Sequence, residues 1–228
     1  APVLLFVEAQ YADGGSELYL LPLAFAATPA QVQEEYPQAI ITAVAIESGT
    51  GTTTDGVLYD GIYHERFPGL LLSLFEGRRR ARGVRGEIAA ASTAGLRCTL
   101  REQGGEVPGR VLKAEQSNSS IVYDADCFLK LYRRFEEGPN PDPEMVRHLS
   151  EEVGFTAVPA FAGTLEYRRT RGRPLTLALL QEYVPSQSDG WALAQSIVGQ
   201  YFQQVLTLRE ELSLATVQRQ DVFRADFR

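Results

Sequence analysis

Lys130 occupies the most unusual setting in the chain. Lys and Arg together number 22, yet lysine stands only at positions 113 and 130, and Lys130 interrupts an apolar run, Cys127–Arg133, that reads as a strand. In a strand, Phe128, Lys130 and Tyr132 share one face while Leu129 and Leu131 take the other. An ammonium drawn into a sheet is costly unless an opposite charge meets it. An anionic ligand such as a phosphate would satisfy Lys130, and so would a carboxylate. The bland alternative is an edge strand from which the side chain reaches water. Ser117, Asn118, Ser119 and Ser120 precede it. Small hydroxyl and amide groups of this kind can surround an oxyanion, or can form an ordinary polar hairpin loop. Glu144, with His148 and Glu151 following on the same helical face, lies in the first turn of a helix expected over 143–153. An acid there also suits the helix dipole.

The elements around these residues fall into two textures. Residues 1–108 read mostly as strands. Val3–Tyr11 and Glu17–Phe25 flank a Gly-Gly turn, and Ala39–Ile46 and Val57–Tyr63 flank the Gly/Thr-rich stretch 49–56. A short helix over 70–76 ends at Gly77, and 87–94 and 97–102 read as further strand-like pieces. The polar, Gly-rich segment 103–109 is the best boundary in the sequence. Beyond it come short strands at 110–114, 121–123 and 127–133. A loop rich in Pro then leads to Asp142-Pro143, an N-cap acceptor followed by proline at the first helical position. Strands at 158–168 and 175–183 follow. A long helix from about 190 carries an apolar stripe of Ala194, Ile197, Val198, Tyr201, Phe202, Val205, Leu208 and Leu212.

Three antiparallel strands, a helix, two strands and a long helix follow the order of the nucleotide lobe of protein-kinase-like folds. The segments Ala114–Ser120, Phe128–Arg134, Asn140–Glu144 and Gln181–Pro185 followed by Asp189-Gly190-Trp191 resemble the maltokinases. These are bacterial kinases with an aminoglycoside-phosphotransferase-like fold, often fused to trehalose synthase. The resemblance covers about residues 100–200 and implies an α+β architecture with a β-rich cap domain at 1–108. It also implies a kinase-like nucleotide-binding lobe at 109–187 and a helix at 188–228 leading into a further lobe. It implies ATP as phosphoryl donor, maltose as acceptor and maltose 1-phosphate as product. Ser117–Ser120 would meet the phosphates, Lys130 would pair with Glu144, and Gln181, Glu182 and Val184 would form the hinge that meets adenine. In the bland reading that last segment is the end of any buried strand. The catalytic His-Gly-Asp loop and the Mg²⁺ ligands would lie downstream, so no catalytic or metal residue is assigned in this chain. Other acceptors (an aminoglycoside, choline, another sugar) stay open, as does a non-catalytic accessory module of trehalose synthase.

Composition narrows the field. A net charge of −7 makes the chain a poor general partner for nucleic acid. No apolar run is long enough to span a membrane as a helix. Two cysteines fit a reducing cytosol better than a disulfide framework. There is no Walker-type Gly-Lys-Ser or Gly-Lys-Thr, and neither the Gly/Thr stretch at 49–56 nor the arginine run at 78–82 is read as a site. His64 and His148 show no metal-ligand spacing with the cysteines. The start at Ala1 without Met and the uncapped end read as a segment of a longer protein, with no signal peptide. The apolar stripe of the last helix is expected to support a homodimer.

Overall fold

Strands dominate because apolar residues alternate between turn signals through most of the chain. A computed structural model describes residues 2–49, 51–76, 80–96, 100, 107–112, 117–124, 126–135, 139–169, 172–186, 188 and 190–208. Two compact units emerge, Ala1–Val184 and Pro185–Arg228. In the first, β1 (Val3–Gln10) and β2 (Ser16–Ala26) form a hairpin in unbroken register from Val3↔Leu23 to Gln10↔Ser16. After a short helix α1 (Ala30–Glu35), β3 (Ile40–Glu47) and β4 (Thr53–Asp60) form a second hairpin. The Gly/Thr-rich stretch closes this hairpin, with Gly51 at φ +79°, and no helix follows it to cradle a phosphate. The strands assemble in the order β1-β2-β4-β3.

Helix α2 (Phe67–Ser73) packs Phe67, Leu71 and Leu72 into the main core. The second sheet has seven strands in the order β5-β6-β11-β12-β9-β8-β7. Its members are β5 (Arg80–Arg82), β6 (Gly86–Ser92), β7 (Gly109–Val111), β8 (Asn118–Tyr123), β9 (Cys127–Tyr132), β11 (Phe161–Arg169) and β12 (Leu175–Glu182). Between β9 and β11 lie β10 (Arg134–Phe135) and helix α3 (Pro141–Arg147), which continues as a π-helical turn over His148–Val153 and stops at Gly154 in the left-handed region. The strand–strand–strand–helix–strand–strand order expected of a kinase-like lobe is present, and the architecture is α+β. The second unit holds helix α4 (Gly190–Leu208), bearing the apolar stripe as far as Leu208; Leu212 and Asp189 lie outside the described residues.

One crossing between the two sheets is continuous strand. β10 pairs with β2 while β9 pairs with β8 and β12, so the strand leaves one sheet and enters the other at Arg133. The backbone there is fixed from both sides: Leu20 N–H donates to Arg133 C=O at 2.8 Å and Arg133 N–H donates to Ser117 C=O at 2.9 Å. Its side chain, 13% exposed, donates to Ser119 Oγ at 2.8 Å and to Asp60 Oδ2 at 2.7 Å. Apolar packing continues the joint, with Phe6 stacked on Tyr167 at 4.1 Å between ring centres. Gly109 is required at the other end, because a Cβ there would sit 2.6 Å from Pro68 Cβ and 2.7 Å from the Tyr123 ring. Tyr123 in turn donates its hydroxyl to Pro68 C=O at 2.9 Å.

Three expectations need correction. The division at 108/109 is not a boundary between separately built sheets, since β6 pairs with β11 from Gly163↔Ser92 to Arg169↔Gly86. A polar, Gly-rich segment signals a loop; composition does not say whether the chain afterwards returns to the same sheet. In the stretch 97–102, expected to be strand-like, Leu100 is helical, as are Ala94–Leu96 before it, while 97–99 and 101–102 lie outside the described residues. Leu96 and Leu100, four apart and both buried, have the helical period. Asn118–Ser120, read as loop, belong to β8.

Asp60→Ala should leave the Arg133 guanidinium largely dry without its carboxylate. The expected loss is about 1–3 kcal/mol in urea unfolding, and Ser119→Ala should cost less because it removes a neutral partner.

Candidate functional site

The site is built on one face of three adjacent strands. β9 is an interior strand, flanked by β8 and β12, so the edge-strand reading of Lys130 does not hold. The register places Ser120 and Leu179 directly opposite Lys130, Asn118 opposite Tyr132, and Gln181 opposite Phe128. Paired residues share a face. Asn118, Ser120, Lys130, Tyr132 and Gln181 therefore lie on one side of the sheet.

Lys130 is bound by Asp142. Its Nζ donates to Asp142 Oδ2 at 2.5 Å, and the Tyr132 hydroxyl donates to the same oxygen at 3.0 Å. The Lys130 Nζ also stands 5.8 Å from the centre of the Tyr132 ring. Both charged side chains of the pair keep about a third of their surface in water, 31% for Lys130 and 35% for Asp142. The ammonium is thus held by one carboxylate oxygen and still faces solvent. Burial, and after it the charge and hydrogen bond of Asp142, pushes the Tyr132 hydroxyl well above its ordinary range. At neutral pH the Tyr132 hydroxyl is therefore a donor to Asp142.

Local sequence explains why Asp142 stands there. Asn140 is the N-cap of α3, its side chain accepting from Asp142 N–H at 3.0 Å, and Pro141 takes the first helical position. The expected start at Asp142-Pro143 is two residues too late. The segment offers two successive cap-plus-proline pairs, Asn140-Pro141 and Asp142-Pro143, and both satisfy the same rule. Using the first turns Asp142 towards the sheet. Glu144, expected as the partner of Lys130, is exposed in the first turn of the helix. Glu151, which follows Glu144 on the same helical face, pairs with Arg147 at 3.0 Å, and His148 pairs with Glu152 at 2.7 Å.

The serine segment divides. Ser119 is buried at 1% exposure and its Oγ accepts from Arg133, so it points away from Lys130 and serves the joint between the sheets. Asn118 and Ser120 are half-buried on the Lys130 side, and Asn118 Nδ2 donates to Ser117 Oγ at 3.1 Å. Residues 113–116, including Glu115 and Gln116, lie outside the described residues. At the other border, Glu182 N–H donates to Ala160 C=O at 2.9 Å and Tyr183 N–H donates to Asp126 C=O at 2.7 Å. Glu182 closes β12, and Val184 follows in exposed chain beyond the last strand pair. Among the described residues no group of three His, Cys, Asp or Glu side chains could hold a metal ion.

Asp142 was missed in the sequence because Glu144 fitted the family resemblance. Tyr132 was already placed on the Lys130 face by alternation, and its hydroxyl could have suggested a carboxylate within reach. Asp60 and Arg133 are 73 positions apart, and nothing local connects them.

Comparison with known proteins adds the following. No family model matches the chain. Over 90 residues it is 30% identical to a glucosamine kinase of Mycolicibacterium smegmatis (strain ATCC 700084 / mc(2)155), covering 39% of this chain and 22% of that protein. This relationship supports a place in a kinase-like superfamily. Among solved structures, a glucosamine kinase in complex with glucosamine, ADP and inorganic phosphate aligns over 93% of this chain and 41% of its own, with 16% identity and a TM-score of 0.43. Crystal form A of a glucosamine kinase aligns over 93% and 40%, with 18% identity and a TM-score of 0.40. The chain spans about two fifths of the length of these solved structures.

Cys127 borders the site but is no nucleophile at neutral pH. Burial first, and the nearby Asp126 charge second, push its thiol from an ordinary 9.0 up to about 11. In a Cys98→Ser background, iodoacetamide should modify the native protein at pH 7 only at the rate of unfolding. Because the folded-state value is raised, this thiol stabilises the fold fully below pH 9.0 and loses that contribution as pH rises through about 11. Thermal melts of wild type and Cys127→Ala should therefore converge across that interval.

Proposed function

We propose that this chain supplies the nucleotide-binding part of an ATP-dependent small-molecule kinase. The observation that carries the reading is Lys130, held at 2.5 Å by Asp142 on a strand face shared with Ser120 and Gln181. An ammonium anchored at one oxygen keeps N–H groups for a second anion, and a polyphosphate on that face would take them. Asp142 would fix the direction of the ammonium, and Tyr132 would fix Asp142. Asn118 and Ser120 would add neutral donors to the phosphate oxygens. Glu182 C=O and Val184 N–H, at the end of β12, would meet the donor and acceptor edge of adenine. Glu144 stays a candidate only through an exchange of carboxylates when nucleotide binds.

In the reaction, the γ-phosphoryl group would pass from ATP to a sugar hydroxyl, with ADP leaving and the hydroxyl proton going to a carboxylate base. Such transfers rest on positioning and charge stabilisation more than on covalent chemistry. The described residues offer Lys130 for the charge and no metal cluster, so the chain's own contribution is nucleotide binding. The finer reading takes maltose as acceptor, giving maltose 1-phosphate, in a cytoplasmic enzyme associated with trehalose synthase; it rests on the sequence resemblance at 100–200. The match to a glucosamine kinase favours a second reading, an amino-sugar acceptor.

Two measurements test this. Titration of the chain with ATP should show weak binding that Lys130→Ala reduces at least ~10-fold, about the worth of one charge-assisted contact; equal binding by the variant would remove Lys130 from the site. In a protein that carries this chain whole, Lys130→Ala should lower kcat/KM by roughly 10² to 10³. Parallel assays with maltose and glucosamine would assign the acceptor, and an inert protein that still binds ATP would point to an accessory module.

A further inference from the structure

The first sheet is apolar on both faces. Its inner face feeds the cores through Leu4, Phe6, Leu20 and Ala24. A solvent-facing side of an antiparallel sheet is ordinarily polar. Here the outer side carries Val3, Leu5 and Val7 of β1, with Leu21, Leu23 and Phe25 of β2 beside them, and Leu58 of β4 and Ile46 of β3 beyond. Val3, Leu5, Val7 and Ile46 are 53%, 42%, 41% and 44% exposed. The Phe25 ring packs against Gly56, where a Cβ would come within 2.6 Å of it.

The charges on this side are already spent. Glu17 pairs with Arg134 at 3.2 Å and accepts from the hydroxyls of Tyr11 and Tyr19. Asp60 is taken by Arg133 and by the Ile62 amide. A foreign partner is selected largely by complementary charge, and this face presents no unpaired charge to select one. An apolar face whose charges are already paired can meet a second copy of itself without leaving a charge unmatched, and homodimer interfaces are the more apolar class. Four strands about 4.8 Å apart and about 25 Å long offer roughly 700 Å² once side-chain relief is included. Each partner of a standard interface gives up about 800 Å².

We infer that the outer face of the β1-β2-β4-β3 sheet is a two-fold dimer interface between copies of this chain. The inference is independent of the kinase reading. Each copy carries a net charge of −7, so association between them strengthens with added salt as the repulsion is screened. Leu5 sits on the edge strand β1 and repeats across the two-fold axis, so one substitution places two ammonium groups in the interface.

Sedimentation of the full chain across the micromolar range is the test. The wild type is expected to be a dimer that tightens in high salt. Leu5→Lys and Val7→Lys should each weaken it at least ~100-fold with an unchanged circular dichroism spectrum, and Leu5→Thr, which keeps strand propensity, covers the case of a lysine variant that misfolds. Ile197→Lys on α4 should leave the dimer intact. A wild-type monomer at every concentration would overturn the inference, as would a dimer that survives both lysine variants or one that only Ile197→Lys dissolves.

Discussion

Arg133 is the point on which the two sheets turn. One guanidinium reaches Ser119 in the second sheet and Asp60 in the first, while its backbone is bonded to Leu20 on one side and Ser117 on the other. A mostly buried cation demands partners on every side, and satisfying this one fixes the corner at which β9 becomes β10. Once that corner is fixed, the face of β9 is fixed too. Leu129 and Leu131 enter the core and Lys130 and Tyr132 turn to the opposite side. The position of the candidate site is therefore a consequence of packing between sheets at Arg133, three residues along from the lysine itself.

Much of this was legible before the structure. Alternation put Lys130 and Tyr132 on one face, and turn residues marked the hairpins β1–β2 and β3–β4. These are local signals with a fixed period, and tertiary context did not override them. The carboxylate that meets Lys130 was not legible, because Asn140-Pro141 and Asp142-Pro143 are equally good helix starts. Only the packing of α3 against the sheet chooses between them. Arg133 was not legible as a joint either. The chain has 20 arginines, being 22 basic residues less two lysines, and nothing in the neighbourhood of 133 points to Asp60. At Leu100 the strand reading failed for a smaller reason: over a few residues a helical and a strand pattern differ by one or two positions, and the buried pair Leu96 and Leu100 has the helical spacing.

The serine segment shows how one short motif can divide between two duties. Strand geometry sends neighbours to opposite faces, so Ser119 cannot join Asn118 and Ser120 on the Lys130 side. It meets the Arg133 guanidinium instead. A substitution series that treated the four positions as one loop would mix an effect on stability with an effect on ligand.

The pairing of β6 with β11 has a consequence for how the protein is made. Ser92 waits for Gly163 and Gly86 for Arg169, so a chain emerging from the ribosome exposes β5 and β6 as an open sheet edge while some seventy more residues are synthesised. Loop closure over that distance is slow compared with forming the hairpins upstream, and an unpaired edge during the delay is a surface on which nascent chains can pair with one another. Arg82, the last residue of β5, and Arg85, just before β6, keep positive charge at the tip of that edge during synthesis. A truncation made between β6 and β11 would make the delay permanent, and an insertion there would lengthen it.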